Sequence, residues 1–495
     1  MNKSNLKFFI IFLFILTTLI GCTPSPGQTP TPTLTSSPQN TATVTPSPTA
    51  EPTSTSTPLP LNGQQTKYII DATVNYYNRF ITANSRAIYT NKSNVPLNEI
   101  VFIVYPALYD AVYTKSVTVG DNSPITDYQW DGHRLVIPLN ESLLPGEEIE
   151  IVYAFELYMP DRGGVFGQTG EELNLSYWFP FIPPYDETEG WLAHEPQLVN
   201  SFYIGEYLVF EAADFDITLQ FTDRRENFNI AAPALPQEEN GVINYQLKLA
   251  RTFTLSISDR FVITEREVNG TKIQAFTLLG GHAPVGEDVA DVAVEALSLY
   301  SELYGDYPRD TLSIVEFNAD IGMEFDGLIF LSPAFYNLYP GTPKSNIHVY
   351  TAHEISHQWF FSLVGNDQAM EPWLDEALAT FSERLFYERY YPDHFEWYLE
   401  NYITAHNPHG EIDTTIYYGG DLFDYRDIVY RNGSLFIQDL REMMGDEAFF
   451  NFIRDYIRQN QYQIATAEGF FSILRKHTDM DLTSLIDQYF SSSFE

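Results

Sequence analysis

At 495 residues the chain exceeds what one hydrophobic core usually organises, which predicts two or more domains. Its 66 acidic and 27 basic residues give a formal charge of −39, which argues against nucleic acid as a partner and against a basic patch on anionic lipid. Cys22 is the only cysteine, which excludes an internal disulfide.

The start, MNKSNLKFFIIFLFILTTLIGC, has a basic Lys3 and Lys7, an apolar run over 8–20 and a small residue before Cys22. The run falls short of the about 20 apolar residues that a spanning helix needs, and its flanks are those of an export signal. LIGC resembles a bacterial lipoprotein signal. The resemblance implies removal of residues 1–21, lipidation of Cys22 and a lipid anchor on the extracytoplasmic face of a bacterial membrane. Several acyl chains on one cysteine exceed the marginal membrane binding of a single chain. Residues 22–63 are almost wholly Thr, Pro and Ser. Such a segment cannot bury enough surface to offset its chain entropy and reads as a disordered, semi-rigid stalk.

From 64 to 265 short alternating runs follow one another, among them YIIDATVNYY, NEIVFIVYP, EIEIVYAFELYM, FDITLQFT and NYQLKLA, with turns at LPGEE and NGV. The pattern predicts an all-β N-terminal domain, a sandwich or saddle. From 266 to 495 the texture changes. EDVADVAVEALSLYSELYG reads as a helix stopped by Gly305, TLSIVEF and GLIFLS as strands, and helices are predicted over 346–364, 372–391, 427–444, 446–459 and 467–477. Strands followed by a run of helices predict an α+β domain with its own core.

Within the first of those later helices stands YTAHEISHQWF. Positions i and i+4 share a helix face, so His353 and His357 can direct imidazoles at one ion, with Glu354 offset to reach a ligand of that ion without binding it. Catalytic zinc sites usually take three protein ligands and leave the fourth position for water, so a third ligand is required. Gly365 reads as the stop of this helix and Pro372 as the first turn of the next, which returns Glu376 to the histidines across eighteen intervening residues. Two imidazoles and a carboxylate suit one zinc ion per chain, and would also take cobalt or manganese. The pair His406 and His409 is broken by Pro408 and reads as loop.

HEISHQWF together with WLDEALATF resembles the gluzincin zinc aminopeptidases, the group that includes aminopeptidase N and leukotriene hydrolase, and the likeness extends over nearly everything after the stalk. It implies a β-rich N-terminal domain followed by a thermolysin-like zinc peptidase domain, with His353, His357 and Glu376 on the metal and Glu354 as general base. IGMEFDG resembles the family's GxMEN exopeptidase motif, which implies that Glu324 binds the substrate's free α-amine beside Gly322 and Met323; Phe325 stands where the motif has asparagine. DIVYRNGSLFIQDL resembles the YxKG segment, which implies Tyr430 as transition-state donor, with Asn432 in the lysine position. Glu383, seven residues after Glu376 on the same face, matches a family glutamate and suits a role orienting a zinc-bound histidine. The whole implies a metallopeptidase that removes N-terminal residues from peptides with a free N-terminus. Two alternatives stand beside it. The chain ends shortly after the catalytic helices, without the helical roof of many relatives, which suggests an endopeptidase with an open cleft. A catalytically inactive zinc-binding surface lipoprotein would fit the stalk and anchor equally, although every catalytic position carries a suitable residue. Side-chain preference, maximum peptide length and oligomeric state are left open by the sequence.

Overall fold

Period-two patterning in the first half produces strands whose burial alternates, as in Lys67–Asn75, where Tyr68, Ile70, Ala72 and Val74 face the core. The computed structural model describes residues 65–120, 124–278 and 280–494; the expected export signal, Cys22 and the expected stalk lie outside the described residues. A seven-stranded sheet runs in the order Gln237–Glu239, Val242–Ala250, Ala213–Phe221, Lys67–Asn75, Phe80–Thr90, Glu148–Tyr158, Val112–Val119. Neighbours are antiparallel except Lys67–Asn75 with Ala213–Phe221. The β-rich half also holds a sheet built on Leu97–Ile103 and Arg134–Leu143, another on Leu255–Ser258 and Leu173–Leu175, and two two-stranded ladders between residues 185 and 203.

The second half opens with a five-stranded sheet in the order Val262–Val268, Thr271–Thr277, Thr311–Glu316, Leu328–Leu331, Met323–Phe325. Thr271–Thr277, Thr311–Glu316 and Leu328–Leu331 run parallel, and Met323–Phe325 returns antiparallel at the edge. The helix Ala283–Tyr304 buries Val289, Ala293, Ala296 and Tyr300 and ends, as its glycine suggests, at Gly305. The site-bearing helices follow: Asn346–Ser356, capped by the Ser345 hydroxyl, and Trp373–Tyr390, which starts after Pro372. Gly433–Met444, Asp446–Asn460, Ala467–Leu474 and Thr483–Tyr489 close the fold, and a wide turn of π-helix, Arg426–Asn432, leads into the first of these. Among the described residues, no helix is long and apolar enough to cross a membrane.

One helix differs from its expectation. Rather than running over 346–364, it stops at Ser356. Gln358 and Trp359 donate to carbonyls three residues back, and Ser362 and Val364 to carbonyls five residues back, so the chain leaves helical register eight residues early. Gly365 is not the stop. It pairs with Ile464 in a short parallel ladder, and a Cβ there would strike the guanidinium of Arg251. Arg251, buried, donates to the carbonyls of Phe210, Phe361, Leu363 and Gln463 and so fastens the β-rich half to the segment that follows the histidines.

Candidate active site

The early end of the Asn346–Ser356 helix sets His357 at its last turn, where its ring stands 4.8 Å from that of His353. Each imidazole is tied from behind. His353 Nδ1 donates to Glu383 at 2.7 Å, and His357 Nδ1 donates to Asp375 at 2.5 Å and to the carbonyl of Phe360 at 3.0 Å. A carboxylate only accepts, so a proton sits on each Nδ1, and each Nε2 is turned to the other side, where loss of its own proton would free a lone pair for a metal ion. There both meet Glu376: His353 Nε2 lies 3.2 Å and His357 Nε2 3.6 Å from its Oε2. His357 Nε2 is buried without a hydrogen-bond partner. Ligand atoms held about 2.0–2.1 Å from a tetrahedral zinc lie about 3.4 Å from one another. These three side chains can therefore hold such an ion with little adjustment.

Charge points the same way. Burial alone would lower the imidazoles, but the carboxylates beside them raise His353 to about 10 and His357 well above its ordinary value. Burial works to raise Glu376, yet His353, His357 and Tyr430 hold it at about 2. Burial, with Glu376 and other acids near, pushes Glu354 up to about 7 and Glu324 up to about 8. The cluster carries more negative charge than its surroundings stabilise, and a divalent cation supplies what is missing.

The other expected residues gather here too. Tyr430 donates to Glu376 Oε1 at 2.6 Å, its ring stacked over His353. Burial, reinforced by Glu376, raises its phenol well above the ordinary value, so it stays a donor. Glu324, on the edge strand, forms a second close group with Glu354 and His357, their nearest ligand atoms all within 4.8 Å. Gly322 lets the backbone run against the Glu354 carboxylate, where any Cβ would collide. Met323 is half-buried beside it in a cleft of about 720 Å³ that His353, Glu354, Glu376 and Tyr430 also line. His406 and His409 belong to an irregular stretch, and His409 pairs with Asp424.

Four residues escaped the sequence reading. Asp375 is the direct neighbour of Glu376 inside the quoted motif, and a helix neighbour offset by about 100 degrees is placed to reach the histidine from behind. Gln368 Nε2 bridges Asp375 at 2.8 Å and Glu324 at 3.3 Å. Glu206 enters the cleft from the β-rich half, its carboxyl held well up by burial and by Glu324 and Glu376. Arg426 enters from the π-turn. No local pattern marks the last three.

Comparison with known proteins agrees with this geometry. Residues 289–489 match the model of the peptidase family M1 domain. Aminopeptidase M1-A of Oryza sativa subsp. japonica is 26% identical over 377 residues, 72% of this chain and 42% of that protein. Aminopeptidase N of Lactococcus lactis subsp. lactis is 25% identical over 313 residues, 56% of this chain and 36% of that protein. The chain thus spans less than half the length of these relatives. Among solved structures, a two-domain M1 zinc metallopeptidase bound to L-arginine superposes with a TM-score of 0.61 at 16% identity, covering 87% of this chain and 95% of that one. The M1 zinc metallopeptidase of Deinococcus radiodurans gives 0.60 at 15% identity, over 87% and 96%. The fold is shared over both halves, and residues 289–489, which match the peptidase family M1 domain, hold the histidines, Glu354, Glu376 and Tyr430.

Proposed function

We propose that this chain is a zinc-dependent metallopeptidase that removes N-terminal residues from peptides, with 64–265 and 266–495 as the two domains of one enzyme. One observation carries the reading: two imidazoles, each tied back at Nδ1 by a carboxylate, turn their Nε2 atoms on a third carboxylate. His353, His357 and Glu376 would hold the zinc. The chemistry that zinc supplies there is Lewis-acid polarisation of a peptide carbonyl and a water whose pKa falls towards about 7.

The chain's own residues do the rest. Glu354 takes the proton of the attacking water and passes it to the leaving amine. Tyr430 donates a hydrogen bond to the oxyanion that develops on the carbonyl oxygen. Glu324, with Glu206 in the same cleft, pairs with the α-ammonium, so the bond presented to Glu354 and Tyr430 is the one after the first residue. Glu383 and Asp375 hold the ligand imidazoles in orientation and tautomer.

The test is chelator-sensitive hydrolysis of an aminoacyl p-nitroanilide by the zinc-loaded protein. Glu354→Gln should keep zinc and lose about 10²–10⁴ in kcat; near wild-type turnover would overturn the mechanism. His353→Ala should lose zinc by elemental analysis. Glu324→Ala should impair peptides with free N-termini more than N-acetylated ones, and equal effects would favour the endopeptidase alternative. Tethering through Cys22 is part of the proposal, supported by the export signal and LIGC. Its test is incorporation of labelled palmitate in the native host, which Cys22→Ala should abolish.

A further inference from the structure

The wall of the cleft contains a cation that nothing in the proposed mechanism uses. Arg426, half-buried, stands with its guanidinium 5.8 Å from the Tyr430 ring centre and donates to the Tyr350 hydroxyl at 3.2 Å. Of the other arginines that line the cleft, Arg431 is neutralised by Asp427, and Arg162 lies over the Tyr109 ring and donates to the Gly163 carbonyl. Among the described residues, no carboxylate forms an ion pair with Arg426, in a chain with 66 acidic side chains. Glu376 attracts it only from a distance, and in the proposed holoenzyme that carboxylate is committed to the metal. With the Tyr350 hydroxyl as its one acceptor and the Tyr430 ring beside it, the guanidinium keeps most of its five N–H donors for an arriving anion.

Its position says where that anion would come from. Tyr350 lies one turn before His353 on the Asn346–Ser356 helix, whereas Glu324 clusters with Glu354 and His357 at the other end. At 1.5 Å per residue, Tyr350 and His357 are about 10 Å apart along the axis. Glu324 and Arg426 thus approach the helix on either side of His353, and the about 10 Å between the helix positions that they approach corresponds to about three residues of extended chain.

Resting on the aminopeptidase reading, we propose that Arg426 binds a carboxylate carried by the substrate within two residues beyond the scissile bond. Two sources share that chemistry: the C-terminus of a di- or tripeptide, and an Asp or Glu side chain just after the cleavage point. The first would make the enzyme a terminal processor of very short peptides.

The test is equilibrium binding, which does not depend on turnover. Zinc-loaded full-length protein carrying Glu354→Gln is titrated calorimetrically with Ala-Ala and Ala-Ala-Ala, each against its C-terminal amide, and with Ala-Asp-amide against Ala-Asn-amide. Charge-assisted, bidentate recognition should favour the acid by about tenfold or more in at least one pair. The first two pairs identify the C-terminus and the third the side chain. Adding Arg426→Gln should bring the ratio close to one, and Arg426→Lys should restore part of it. A ratio near one before that change, or one that survives Arg426→Gln, overturns the proposal. Hydrolysis by wild-type protein is scored separately: failure to cleave any of these peptides counts against the peptidase reading, while the binding ratio still decides the carboxylate site.

Discussion

Gly322→Ala tests whether the position of Glu354 controls turnover. Gly322 does not occupy the left-handed region, so alanine fits its backbone, and removing glycine freedom from the unfolded chain stabilises by about 0.4–1 kcal/mol. The conflict lies across the cleft. A Cβ at 322 would stand 2.8 Å from Glu354 Cδ and closer still to Oε1, where ordinary contact begins at 3.4 Å. The backbone has little room to yield, because the next three residues pair with Leu328–Leu331 in the sheet. The carboxylate must therefore withdraw by about 1 Å, a displacement that costs about 10²-fold when the displaced group does the chemistry. The expected variant folds at least as stably as wild type, binds one zinc by elemental analysis, and shows kcat for an aminoacyl p-nitroanilide lowered about 10²-fold. A kcat within about threefold of wild type at full zinc content would refute the assignment of Glu354 as a base whose position matters.

Other outcomes follow from the same geometry. Asp375→Ala and Glu383→Ala each free one imidazole of the proposed ligand pair from behind and should weaken zinc binding about 10–100-fold in a chelator competition, and unchanged affinity would mean that packing alone orients the rings. Arg309→Met removes the partner, 2.9 Å away, of the fully buried Asp326 and should lower stability to urea by about 3 kcal/mol; a loss under about 1 kcal/mol would show that the remaining donors suffice. Glu172 is fully buried, accepts the Asn318 N–H at 2.6 Å, and is pushed by burial from 4.5 up to about 7. Its folded form prefers the proton, so the stability it contributes is full below about pH 4.5 and is lost as pH rises through about 7. Glu172→Gln should therefore stabilise by up to about 3 kcal/mol at pH 8 and have little effect at pH 4, as read by urea denaturation at the two pH values.

The candidate metal group was legible in the sequence because it is local. Two histidines four apart and a glutamate on the next helix depend on helix periodicity and one return of the chain, and both survive an error of eight residues in where the first helix ends. That error has a physical source. Nothing in QWFFSLVG announces that backbone donors will turn to carbonyls three and five residues away, because the departure is fixed by tertiary partners such as Arg251. Gly365 was legible as a special position but not for its reason, which is the approach of the Arg251 guanidinium from the bend after Val242–Ala250, more than a hundred residues earlier. Glu206 and Arg426 were invisible on the same grounds: each reaches the cleft only because distant segments pack there.

The clearest departure from the family motif shows how such packing reassigns a role. Phe325 replaces the asparagine next to Glu324, yet successive residues of a strand point to opposite faces, so its ring leaves the cleft. It is fully buried, edge-on to Tyr177 at 5.2 Å and to Phe330 at 5.8 Å. The carboxylate of Glu324 is held by Gln368, 44 residues downstream, whose amide also grips Asp375 behind His357. Gln368 is itself fixed by the turn in which Asp367 accepts the N–H groups of Ala369 and Met370, and Asp367 pairs with His194 at 2.7 Å. His194 comes from the β-rich half. The orientation of the proposed amine anchor therefore rests on a chain of contacts that begins in the other half of the molecule, and the same amide couples that anchor to His357, a proposed metal ligand.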